Sequence, residues 1–304
     1  MTADIPFDQK FNLRPGQVDE VMPGLRRLLC NNPSPFTFKG TVSYIIGRGQ
    51  VAIIDPGPDD ADHIAALLAA VHGETVTHIF VTHTHRDHSP AVPRIKAATG
   101  AIVLAQGPHR PARALNIGEA PRLDASNDLD FCPDRALADG EIISGSGWAI
   151  EAVATPGHTA NHMAYALKDS NFLFSGDHVM AWSTPVVAPP DGAMSDYMAS
   201  LAKLSRRNEQ IYFPGHGPAV NNAQRFVAAY ILHRKAREGA ILRQLGKGES
   251  DIPTLVRTVY SGLDPRLTKA AGLSVLAHLE DLVTRGAVAT AGSASIEGRY
   301  RLAG

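Results

Sequence analysis

The stretch Thr82-His83-Thr84-His85-Arg86-Asp87-His88 limits what this chain can become more than any other part of it. It sets three histidines and an aspartate directly after residues 76–81, a run rich in β-branched and aromatic residues that reads as a buried strand. Neutral imidazole nitrogens and carboxylate oxygens are the donors that zinc and similar divalent ions take. In an extended segment His83 and His85 point the same way. Asp87 and His88 follow where the chain turns, so they can face a second ion. The alternative is an ordinary solvated loop, but a chance His-x-His-x-Asp-His is on the order of 10⁻³ over a chain of this histidine content. The motif leaves the C-terminal end of a strand, where open α/β sheets put their sites.

Composition sets the wider bounds. At 304 residues, 44% apolar and 19% charged, the chain is globular and has length for one large domain or two. No run approaches the ~18 apolar residues of a transmembrane helix. The first residues, Met1 to Leu13, carry Asp4, Asp8 and Lys10 and no apolar signal core. Cys30 and Cys132 are the two cysteines, too few for a disulfide framework, and a cytoplasmic protein is the expectation. The net charge of −1 conceals a basic excess from Arg225 onward. That excess is compatible with nucleic acid or an acidic partner, and equally with ordinary surface variation.

Residues 41–46 and 51–55 read as strands joined by the turn Gly47-Arg48-Gly49-Gln50. Asp59-Asp60 opens a helix, and Ser89-Pro90 starts another that ends near Gly100. Residues 106–139 show little periodicity and read as a functional loop or insertion, whose Arg110, Arg113 and Arg122 could meet an anionic substrate or simply be solvated. Residues 148–154 form a strand running into His158. A hairpin, residues 163–175, ends in Gly176-Asp177-His178, and a helix capped by Ser195-Asp196 precedes a last strand that ends at His216. At four points, then, a strand ends in a metal-donor candidate: 83–88, His158, Asp177 and His216. After residue 221 the pattern changes to a long helix, helices over 253–260, 265–271 and 273–285, and a hairpin of 287–289 with 300–302, which together describe a winged helix.

Thr155-Pro156-Gly157-His158-Thr159, Ser175-Gly176-Asp177 and Pro214-Gly215-His216-Gly217, taken with the histidine run, resemble in order the ligand motifs of the metallo-β-lactamase-fold hydrolases. The resemblance covers roughly residues 20–220. It implies an α/β fold, a four-layer αββα sandwich over 1–221, followed by a small, mostly helical winged-helix domain over 222–304. That tail resembles the lactamase-beta-2-like subgroup, through residues 233–238 and 254–267. Carried over to this sequence, the resemblance implies that His83, His85 and His158 hold one divalent ion and that Asp87, His88 and His216 hold a second. Asp177 bridges the two. Zinc is the expected metal, with manganese or iron as alternatives, and a bridging hydroxide cleaves an ester, thioester or phosphodiester. Asp87 and Asp177 are the catalytic carboxylates, Asp87 orienting the hydroxide and accepting its proton. Asp55, in the Asp-Pro-Gly of residues 55–57, reads either as the residue that fixes a histidine tautomer or as a turn-forming aspartate. His162 and His178 read as supports rather than proton donors to a leaving group.

Three functions compete. A hydrolase of a small ester or thioester comes first, and a ribonuclease that holds single-stranded RNA on the winged module is the runner-up. A ligand-sensing DNA-binding regulator is disfavoured, because the presumed recognition helix offers Ser274, His278, Asp281 and Thr284 and only Arg285 as a nearby cation. β-Lactam hydrolysis is disfavoured by the aspartate at the bridging position. A homodimer through the winged module, or its packing on the rim of the site, is the other use for that module.

Overall fold

The computed structural model describes residues 5–116, 127–260 and 262–304. Its first sheet holds seven strands in chain order: β1 (Asp19–Met22), β2 (Leu25–Leu29), β3 (Val42–Arg48), β4 (Gln50–Ile54), β5 (Thr75–Phe80), β6 (Ile102–Ala105) and β7 (Arg135–Ala136). The strands from β1 to β4 pair antiparallel, whereas β5, β6 and β7 add in parallel. Helices α1 (Ala61–Ala70) and α2 (Val92–Thr99) make the first two parallel crossovers. The second sheet contains β8 (Ile142–Gly145), β9 (Trp148–Ala154), β10 (Met163–Leu167), β11 (Phe172–Gly176), β12 (Ile211–Pro214) and β13 (Val220–Asn221). Only the β11–β12 pair is parallel, and its crossover carries α3 (Met194–Leu204).

The period-2 alternation of side chains along a strand explains why there are four layers. On β3, Val42, Tyr44 and Ile46 enter the core between the sheets, while Ile45 enters the core under α1 and α2. On β10 the split repeats: Met163 and Tyr165 face the first sheet, and Ala164 and Ala166 face α3. Both sheets are thus apolar on both faces and need a helical layer outside. The strands β1, β2, β7 and β8 were not anticipated, being short or half-polar.

The C-terminal part opens with α4 (Ala223–Leu245), then β14 (Ser250–Asp251), α5 (Ile252–Val259), a 3-10 turn (Pro265–Leu267), α6 (Thr268–Thr284), β15 (Val288–Thr290) and β16 (Arg299–Leu302). Asp251 caps α5 by accepting from the Thr254 amide at 2.9 Å. The expected break between helices 265–271 and 273–285 is absent, and α6 runs through Gly272. A Cβ added there would meet Ile252 and Ile296 at 3.6 and 3.7 Å, ordinary van der Waals contact, so the helix covers this glycine without needing it. Two expected caps also fail. The α3 N-cap is Ala193, and Ser195 lies inside the first turn. The α2 N-cap is Ala91, while Ser89 donates to Asp128 at 2.7 Å.

Helix α4 belongs to two cores. Phe226, Val227 and Tyr230 pack with α3 against the second sheet, and Ile241 and Leu245 pack with α5 and α6. Ser274 and His278 of α6 are buried, so they form no exposed recognition face, contrary to expectation. Among the described residues no helix is long and apolar enough to cross a membrane. Leu279 is fully buried in the winged-helix core. We predict that Leu279→Ala lowers stability by about 2–5 kcal/mol, read as a lower urea midpoint; a change under about 1 kcal/mol contradicts this packing.

Candidate metal centre

Strand β5 ends at Phe80, and the histidine run leaves it at the edge where the two sheets meet. Thr82 fixes the start of that run. Its amide and its hydroxyl both donate to the Asp55 carboxylate, each at 2.7 Å. The same hydroxyl lies 3.0 Å from His83 Nδ1, which donates to it. Asp55 also accepts from His88 Nδ1 at 2.8 Å. It sits at φ +48°, a left-handed conformation rare for a side-chain-bearing residue, and its three hydrogen bonds hold it there. Asp55 thus fixes a histidine tautomer from behind, in addition to forming its turn.

The remaining rings are oriented the same way. His158 Nδ1 donates to Val186 O at 2.6 Å, and His216 Nδ1 donates to Gly40 O at 3.1 Å. With their outer nitrogens occupied, His83, His88, His158 and His216 turn Nε2 inward. His83 Nε2 and His158 Nε2 lie 3.0 and 3.1 Å from His85 Nδ1, three nitrogens converging on one point. Nearby, Asp87 Oδ2 lies 3.4 Å from His88 Nε2 and 3.1 Å from His216 Nε2. Asp177 touches both groups, 3.7 Å from His158, 3.3 Å from His216 and 3.6 Å from His88. The donors fall into two sets able to hold an ion: His83, His85, His158 and Asp177, and Asp87, His88 and His216. All seven residues expected from the sequence are therefore brought together.

A cation fits this arrangement. Among the described residues, His88 Nε2 and Asp177 Oδ1 are buried without a hydrogen-bond partner, which is costly unless something else binds them. Gly215 keeps the space open, since a Cβ there would stand 2.6 Å from His88 Cε1 and 2.7 Å from Asp177 Oδ1. The donor set is thiol-free, which suits zinc, manganese or iron.

Burial and neighbouring charge divide the two sets electrostatically. Burial, reinforced by the surrounding histidines, holds His83 well below the usual imidazole range, and burial with His158 lowers His85 to about 3. Burial also pulls on His216, but Asp177 and Asp87 outweigh it and lift it to about 10. His88 rises in the same way under Asp87, Asp177 and Asp55. Burial would raise Asp87, yet the charge of His88 and the contact with His216 hold it well below the usual carboxylate range. One set therefore presents neutral nitrogens, and the other must release protons before it can ligate.

His162 supports the site from outside. Its Nδ1 donates to Thr155 Oγ1 at 2.8 Å, and its Nε2 accepts from the Asp177 amide at 3.2 Å. His178 packs its ring 4.5 Å from that of Tyr197, and its ring nitrogens find no hydrogen-bond partner among the described residues. Of the loop arginines, two are engaged within the chain. Arg110 donates to Ala160 O, Arg113 pairs with Glu280, and Arg122 lies outside the described residues. The backbone acceptors Val186 and Gly40 carried no signal in the sequence. Nor did the cavity of about 520 Å³ that opens on His85, His158 and Asp177, walled by Phe36, Met180, Trp182 and Leu263.

Residues 36–216 match the metallo-beta-lactamase superfamily model, and residues 252–298 match the beta-lactamase associated winged helix domain. The chain belongs to the metallo-beta-lactamase superfamily. It is a metal-dependent hydrolase of that superfamily, with a winged-helix tail. It is 32% identical to the beta-lactamase-like protein 2 homolog of Drosophila melanogaster, a match covering 89% of this chain and 91% of that one. It is 30% identical to an atrochrysone carboxyl ACP thioesterase of Aspergillus fumigatus over 75% of this chain and 67% of that one. A beta-lactamase domain protein from Burkholderia ambifaria shares the fold, with TM-score 0.78 at 21% identity, covering 96% of this chain and 95% of that one.

Asp55→Asn removes one carboxylate oxygen and puts an amide beside three donors. We expect metal affinity to fall by about 10–100-fold, measured by competition with a chromophoric chelator; unchanged affinity contradicts the role assigned to Asp55.

Proposed function

We propose that this superfamily member hydrolyses a thioester or ester whose acyl part is largely apolar, using two divalent ions. In this reading His83, His85 and His158 hold one ion, Asp87, His88 and His216 hold the other, and Asp177 spans both. What such ions supply when bound is a water whose pKa falls from 15.7 toward roughly 7, and polarisation of the attacked oxygen. The mostly apolar cavity opening on the donors carries the choice of substrate, because its aromatic and aliphatic walls suit an acyl chain.

The chain's own residues do the rest. Asp87 is the carboxylate with appreciable exposure; it accepts from Thr41 Oγ1 at 3.3 Å and is oriented to take a proton from the attacking water. Asp177 is held by its neighbours at both sets of donors and by His162 behind its amide. Trp182 stacks on Phe38 with ring centroids 5.0 Å apart and keeps one wall dry. The Tyr230 hydroxyl bonds to Met180 O and Ser183 O at 2.7 and 2.6 Å and braces the loop that forms another wall.

The thioesterase named among the relatives supports this reading. Cleavage of single-stranded RNA is weaker. Arg285, near the end of α6, is spent on Asp281 and Glu238. We also divide the chain after residue 221, just before α4 begins, and the unpaired Cys30 and Cys132 support a reducing, cytoplasmic setting.

Two measurements test the reading. Asp177→Ala should leave at most one ion per chain by elemental analysis and no detectable turnover; two bound ions with retained activity would sink the ligand assignment. Assayed side by side, hexanoyl-N-acetylcysteamine should be cleaved and a single-stranded oligoribonucleotide should not. The opposite outcome would favour the ribonuclease.

A further inference from the structure

Two arginines one turn apart on α4 line the same cavity as His85, His158 and Asp177. Arg234 is only 3% exposed. Its Nη2 donates to Pro185 O at 2.6 Å, and its guanidinium lies 5.0 Å over the Tyr197 ring. Its Nε is buried without a hydrogen-bond partner among the described residues. Arg237 lies 4.5 Å over the Tyr260 ring and donates to His233 Nε2 at 3.3 Å and to Val259 O. Lys269 of α6 lines the same space.

Among the described residues, neither Arg234 nor Arg237 meets a carboxylate. Other half-buried arginines of this protein do: Arg26 pairs with Glu74, Arg207 with Glu151 and Glu209, and Arg113 with Glu280. A cation removed from water without a counter-charge is costly, and carbonyl and aromatic contacts offset only part of the cost. Two such cations on one cavity wall call for an anion that is not part of the chain.

The site is also close to the metal donors. Arg234 and His158 bind consecutive carbonyls of one loop, Pro185 O and Val186 O, both at 2.6 Å. Adjacent residues are about 3.8 Å apart between Cα atoms, so the guanidinium and the donor ring are separated by little more than one peptide unit and two hydrogen bonds. A short substrate reaches both.

We propose that Arg234 and Arg237 form an anion subsite in the substrate cavity, so that the preferred substrate carries a carboxylate or phosphate a short distance from the scissile bond. The proposal rests on reading this cavity as the substrate site. Arg234 offers a fixed planar fork for a carboxylate or phosphate oxygen, Arg237 adds a second cation from the next turn, and the apolar walls receive the chain between the anion and the reacting carbonyl.

The binding test is independent of turnover and of metal. Glutarate and inorganic phosphate, titrated calorimetrically into the metal-free full-length protein, should bind saturably, and uncharged glutaramide should not. Arg234→Gln and Arg237→Gln should each weaken anion binding by about tenfold or more, with Arg234→Lys retaining part of it. No anion binding by the unaltered protein, or the same affinity in both glutamine variants, overturns the proposal. If Arg234→Gln loses its circular-dichroism spectrum, the less buried Arg237→Gln carries the test.

The metal-loaded enzyme then identifies the source of the charge. Glutaryl-N-acetylcysteamine carries a carboxylate on the acyl side, hexanoyl-phosphopantetheine carries a phosphate on the thiol side, and hexanoyl-N-acetylcysteamine carries neither. One of the first two should exceed the third by about tenfold in kcat/KM, mainly through KM, and in Arg237→Gln that ratio should fall toward one. Equal rates on all three overturn the subsite while leaving the thioesterase reading intact. Cleavage of none contradicts the thioesterase reading, and the binding test then decides the subsite alone.

Discussion

The carboxylate of Asp55 is the joint on which the centre depends. It stands at the end of β4 in a left-handed conformation and receives hydrogen bonds from the Thr82 amide, the Thr82 hydroxyl and His88 Nδ1. Such a conformation costs about 1–3 kcal/mol, and three bonds to a buried carboxylate outweigh it. Through Thr82 the same carboxylate reaches His83, so one residue behind the site sets the tautomers of a histidine in each donor set. The parallel β4–β5 pairing brings Asp55 and Thr82 together. The sheet is therefore the means by which donors distant in sequence meet.

The two sets differ in charge because their surroundings differ. Histidines crowd one another around His83 and His85, and burial keeps them neutral. Aspartates crowd His88 and His216, and burial cannot keep those neutral. A pair of cations would repair that imbalance: ions would offset the buried carboxylates, replace the protons on the second set and partner His88 Nε2 and Asp177 Oδ1, which have no hydrogen-bond partner among the described residues. The winged-helix tail is tied to the same region. Helix α4 shares the α3 core, lends Tyr230 and Arg234 to the loop around residues 180–186, and so lets the tail shape the cavity.

Much of this was legible because the residues involved act locally. The strand–loop register of 75–88 follows from alternation and from a metal-donor spacing that has few other uses, and His158, Asp177 and His216 each end a strand. What escaped the sequence depends on partners far along the chain. The strands β1, β2, β7 and β8 are short or half-polar and acquire their identity only by pairing. Helix α6 runs through Gly272, whose low helix propensity read as a break. Ser274 and His278 looked like a polar face and are buried, because the helix is covered on more sides than its leucine stripe suggested. The arginines noted in residues 106–139 are occupied where described, whereas Arg234, indistinguishable in sequence from a surface residue of a long helix, lines the cavity.

Seven side chains gathered from four strand ends are proposed to hold two ions side by side. Anomalous diffraction at the absorption edges of zinc, manganese and iron, from crystals of the purified protein, tests it most directly. Two peaks are expected, one among His83, His85, His158 and Asp177 and one among Asp87, His88, His216 and Asp177. Absence of both peaks from metal-supplemented crystals, or peaks at other residues, would contradict it.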